Sequence, residues 1–162
     1  MSPEKRLQQA RELANTGHAL ASSDLHGAVK ACLAARAHLK CIGFMESAAA
    51  VVMDAVSGAR THDDRELAIR LCRLATKDDP SWADPVSMLA LVETELGNHF
   101  VEQNDVPRAL RLYDRAAAHQ QRAAELLERE DAAGARRQRR FEAFVRKRRA
   151  GVLEWAKRRS QT

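Results

Sequence analysis

The sequence predicts an all-α protein of antiparallel helix pairs that ends in a strongly basic helix. Three observations lead there. Apolar residues recur at a spacing near 3.6 along the whole chain, the period of a helix with one buried face. Ala, Leu, Arg and Glu dominate and aromatics are only 4% of the 162 residues, so helix formers abound while strand-forming runs are scarce. The seven Gly and four Pro fall mostly where helices should begin or end.

The elements follow in order. Ser2-Pro3 reads as an N-cap followed by Pro at the first helical position. That helix should run to about Ala21, with Leu7, Leu13, Ala14 and Leu20 inward. Ser22-Ser23-Asp24 breaks it and caps a second helix whose apolar positions are Leu25, Ala28, Val29, Cys32, Leu33 and Leu39. Gly43 separates a third, carrying Met45, Ala49, Val52, Met53 and Val56. Thr61-x-x-Asp64 has the form of a capping box and is expected to open a fourth, through Leu67, Ala68, Leu71, Cys72 and Ala75. After Pro80, Ser81-x-x-Asp84 is expected to open a fifth, with Pro85 in its first turn and Trp82, Val86, Leu89, Val92, Leu96 and Phe100 on one stripe. Asn104-Asp105 marks a turn, and Val106-Pro107 leads into a long sixth helix reaching about Glu130. Gly134 precedes the last. Short turns between helices reverse the chain, so neighbours should be antiparallel.

The stretch Leu96, Gly97, Phe100, Asn104, Val106, Ala109, Tyr113, Ala116 is the sharpest motif. A small residue on one helix, a tight turn and alanines flanking an aromatic on the next allow close axes with rings filling the space between. This pattern resembles the tetratricopeptide repeat. Weaker copies of its turn and second helix lie at Ser23-Asp24-Leu25, Ala28, Cys32 and Ala35, and at Ala68, Cys72, Ala75 and Pro80. The anchoring alanines Ala28, Ala68 and Ala109 are 40 and 41 residues apart. The family period is about 34, so each unit here needs longer helices or turns. The resemblance spans about residues 10–120 and implies a helical repeat that binds a protein or peptide. The family's carboxylate clamp of Lys, Asn and Arg has no counterpart, so it supplies no binding residue.

Charge divides the chain. The net charge is +5, but residues 135–162 carry 11 Lys or Arg against Glu142 and Glu154, for +9. Residues 1–134 carry −4. This suggests a helical-repeat domain over 1–134 and a basic amphipathic helix over 135–162 packed on it as a cap. The candidate polyanion-binding residues are Arg136, Arg137, Arg139, Arg140, Arg146, Lys147, Arg148, Arg149, Lys157, Arg158 and Arg159. Phe141, Phe144 or Val145, Val152 and Trp155 form their apolar counterpart along one side.

Enzyme chemistry finds no foothold. None of HExxH, GxSxG, a Walker loop or GxGxxG occurs. His38-x-x-Cys41 and His62-x-x-x-Glu66 each place two potential ligands on one helix face, which is too few for a metal site. No cofactor is expected. Cys32, Cys41 and Cys72 are odd in number, lack CxxC spacing and sit among apolar neighbours, as reduced cysteines do. With no secretory signal or spanning segment in view, a cytoplasmic location is expected. The leading expectation is a protein-interaction scaffold or chaperone-like adaptor. The alternative is a nucleic-acid-associated protein contacting phosphates through the basic helix. A membrane surface is disfavoured as partner, and self-association is another way to cover end helices.

Overall fold

A computed structural model describes residues 1–161. Seven α-helices account for almost all of them: α1 (Pro3–Leu20), α2 (Leu25–Cys41), α3 (Met45–Thr61), α4 (Arg65–Asp78), α5 (Ala83–Glu102), α6 (Val106–Leu127) and α7 (Ala132–Arg159). Among the described residues there is no strand. The connections are three or four residues long, and each consecutive pair within a unit packs together. The chain forms two compact units, Met1–Ser81 and Trp82–Thr162. In the first, α1 packs on α2, α2 on α3 and α3 on α4; in the second, α5 packs on α6 and α6 on α7.

One local device starts four of the helices. Asp24, Asp64, Asp105 and Asp131 each accept a hydrogen bond from the N–H three residues on: Gly27, Leu67, Arg108 and Gly134. The residue one past each of those donors is Ala28, Ala68, Ala109 or Ala135, and all four are buried. A carboxylate at the N-cap also favours the positive end of the helix. The three anchoring alanines therefore occupy equivalent places, the fourth residue of α2, α4 and α6. The long spacing between them is taken up by helices of 14 to 22 residues, not by loops.

Two caps differ from expectation. Thr61 is the last residue of α3 and its hydroxyl donates to the Ser57 carbonyl at 3.0 Å, so Asp64 alone caps α4. Trp82, not Ser81, stands at the N-cap of α5 and makes no side-chain cap bond, while the Ser81 hydroxyl donates to Asp79 at 2.7 Å. In both cases a nearer carboxylate takes the hydroxyl's place or accepts its hydrogen bond.

Small residues fill much of the helix interfaces. In α2, Ala31, Cys32 and Ala35 fill the interface and leave Leu33 exposed. Glycine has the same role on the first helix of each pair. A Cβ on Gly17 would lie 2.5 Å from Cys32 Sγ on α2, and one on Gly97 would lie 2.8 Å from Tyr113 Cε1 on α6. A Cβ on Gly58 would meet the Ala21 carbonyl at 3.3 Å, where α3 crosses the corner of the preceding pair.

Candidate functional site

The candidate site lies on α7, whose side chains divide between the core of the second unit and a basic surface. Val145 and Val152 are buried and join Ala90, Ala109, Tyr113, Ala116 and Ala117 in the core of the second unit. Phe141 packs partly against that core, with its ring stacked on Phe144 at a centroid distance of 5.9 Å. Phe144 and Trp155 turn outward, 55% and 38% exposed. They line an open cleft of about 570 Å³, together with Val101 of α5 and Lys147, Arg148, Gly151 and Val152 of α7. Gly151 borders open space in the cleft, since a Cβ there would touch nothing within 4 Å.

Hydrogen bonds fix the walls. The carboxamide oxygen of Asn98, on α5, accepts from the Tyr113 hydroxyl at 2.7 Å and from Arg148 at 3.2 Å, tying three helices at one atom. Burial pushes the Tyr113 phenol above its ordinary pKa, partly offset by the Arg148 cation, so the hydroxyl stays a donor. At the far end, Arg159 donates to Asn104 in the α5–α6 turn at 3.1 Å and lies over the Trp155 ring, 4.9 Å from its centroid. Asn104 itself has φ 61°, a left-handed conformation that Asn tolerates better than most residues.

The eleven basic residues predicted from sequence fall into two groups. Seven engage side chains of their own unit. Arg137 pairs with Asp131, Arg139 with Glu128, Arg146 with Glu142, Arg149 with Asp114 and Lys157 with Glu154, while Arg148 and Arg159 bond Asn98 and Asn104. The other four, Arg136, Arg140, Lys147 and Arg158, are exposed. Exposed ion pairs of this kind add little stability. They do remove much of the raw positive charge that the sequence displays.

Two buried carboxylates escaped sequence reading. Asp78, at the end of α4, has no exposed side-chain surface and receives Arg36 at 2.9 Å and Lys40 at 2.8 Å, both from α2. Burial alone would raise its pKa, but those two cations hold it below the ordinary carboxylate value. Glu93, on α5, is equally buried and meets Arg115 at 3.1 Å and His119 Nδ1 at 2.8 Å, both on α6. Each carboxylate braces two helices of one unit. The signal available in sequence was only an acid on an otherwise apolar face, since the cations lie 22 to 42 residues away. The paired positions His38 and Cys41 lie at the end of α2, Cys41 exposed, and no group of three metal-ligating side chains occurs among the described residues.

No family model matches the chain. No curated protein matches it either. Among solved structures, the crystal structure of MamA protein is similar over 91% of this chain and 93% of that one, at 14% identity and a TM-score of 0.26. No helix among the described residues is long and apolar enough to cross a membrane.

Proposed function

We propose that this chain is a non-catalytic protein-interaction scaffold, a tetratricopeptide-like helical repeat working in the cytoplasm. The observation that carries the reading is the cleft between α5 and α7. It exposes Phe144 and Trp155 while their neighbours Val145 and Val152 fill the core. Large aromatic side chains left accessible beside an open apolar floor suit protein docking more than chemistry. The repeated Asp cap, buried Ala and interface Gly support the repeat reading. The buried carboxylates Asp78 and Glu93 are spent on helix bracing, and the three free cysteines suit a reducing compartment.

A second reading has its own observation. Arg136, Arg140, Lys147 and Arg158 are exposed along α7 and would serve phosphates of a nucleic acid. Both are tested by capture from a cell lysate on the immobilised full chain, before and after nuclease. Retained proteins are then purified and titrated against the chain alone. The scaffold reading expects at least one direct binder that survives nuclease. If every retained protein is released by nuclease and single-stranded RNA binds with a steep salt dependence, the second reading replaces it. Removing residues after Gly134 is unsuitable for this purpose, because it strips Val145 and Val152 from the core. Arg136→Gln with Arg140→Gln and Arg158→Gln is the appropriate variant.

A further inference from the structure

We infer that the α5–α7 cleft takes an acidic segment of a partner protein, anchored by large apolar side chains. The inference rests on the scaffold reading and names the partner's chemistry. Positions three, four, seven and eleven residues from Phe144 share its face of α7. That face carries Arg137, Arg140, Lys147, Arg148 and Gly151, then Trp155 with Arg158 and Arg159 following it, and no acid. The two acids of α7 are paired within the helix, Glu142 with Arg146 and Glu154, which borders this face, with Lys157. The cleft therefore has an apolar floor, and the charged side chains that line it, Lys147 and Arg148, are both basic.

Shape and ring environment select among anionic partners. About 570 Å³ is a normal size for a ligand pocket and accepts about two or three large side chains. A planar lipid surface would not enter it. Nucleobases stack on ring faces, and here such stacking is restricted to one face of each ring, since Phe141 takes one face of Phe144 and Arg159 one face of Trp155. An aliphatic or aromatic anchor needs only the floor of Val101, Gly151 and Val152, and flanking Glu or Asp would meet Lys147 and Arg148. The Asn98 and Asn104 bonds hold the walls in place beforehand, which lowers the ordering cost of binding.

The test titrates full-length protein into a fluorescently labelled synthetic peptide of about 18 residues, with Leu and Phe at helical i, i+3, i+4, i+7 spacing and Glu elsewhere. Its controls are a scrambled peptide of the same composition, a Lys-for-Glu peptide, a uridine dodecamer and phosphatidylserine vesicles. The acidic amphipathic peptide should bind most tightly. Gly151→Phe, which fills the cleft from a position with free space, and Trp155→Ala should each weaken it by about tenfold or more. Lys147→Glu should weaken it about fivefold, with less dependence on salt, whereas Arg136→Glu, the same charge change outside the cleft, should stay within about twofold. Helicity and melting temperature of each variant establish that it folds.

Equal binding of the scrambled peptide, or peptide binding unchanged by Gly151→Phe, overturns the inference. Tighter binding of the uridine dodecamer or the vesicles, lost in Gly151→Phe, reassigns the cleft and overturns it as well. Self-association that Gly151→Phe abolishes would give the cleft to a second copy of the chain, and the inference would fall in that case too. A direct protein binder that every cleft variant still retains sinks this inference and leaves the scaffold reading standing.

Discussion

Gly97 and Gly151 show how one residue type has opposite meanings in two helices. Both interrupt a helix at a propensity cost of about 1 kcal/mol relative to Ala. At Gly97 a methyl group would press on the ring of Tyr113, which is fully buried and bonded to Asn98, so the ring has nowhere to move. Gly97→Ala should therefore lower stability by about 2 kcal/mol despite its better propensity. Gly151→Ala, with nothing in reach, should raise it by about 0.5–1 kcal/mol. Chemical denaturation of the two variants side by side checks both signs. Gly97 is legible in the sequence as part of the sharp motif, whereas the packing roles of Gly17 and Gly58 are not, although the three recur at intervals of 41 and 39 residues. Without an aromatic beside them, Gly17 and Gly58 resemble ordinary helix ends.

Within the elements, the caps and the buried carboxylates carry the stability that can be tested. Asp64→Ala and Asp105→Ala should each cost about 1 kcal/mol, and Asp64→Asn much less, because Asn can still accept from the Leu67 N–H. Asp78 ties α4 to α2, and its pKa lies below the unfolded value. The stabilisation from that depression is fully present above the unfolded carboxylate pKa near 4 and is lost as pH falls through the folded value. Asp78→Asn should cost about 3 kcal/mol at pH 7 and flatten the decline in stability below about pH 4. Melting temperatures from pH 2 to 7, taken at about one-unit steps, distinguish this from a general loss of packing. Helix existence and order were legible in the sequence because period and capping act within one or two turns. The capping roles expected of Thr61 and Ser81 failed because Asp64 and Asp79 stand close enough to compete.

For the molecule as a whole, the three cysteines report on packing. Cys41 is exposed, while Cys32 and Cys72 are buried and burial pushes the Cys32 thiol up to about 11. At pH 8 a maleimide reagent should modify one thiol per chain rapidly and the other two only at the rate of opening or after denaturation. Mass spectrometry of the labelled peptides should place the fast site at Cys41. Two fast sites would mean that one of the alanine-rich interfaces opens readily in solution. The charge split was visible from composition, but its use was not, since five of the eleven basic side chains in α7 end on acids of their own unit.

By itself the sequence determined seven helices and their order, the Asp24 break that starts the second, the alanines that bring them together and the concentration of positive charge at the end. Those features depend on residues within about a turn of one another. Only the tertiary structure decided which side of α7 faces the core and which opens as a cleft. That choice depends on Val145 and Val152 entering the core and on Arg148 and Arg159 reaching Asn98 and Asn104, 50 and 55 residues away. Contacts at such separations are set by how helices cross, which no local pattern encodes.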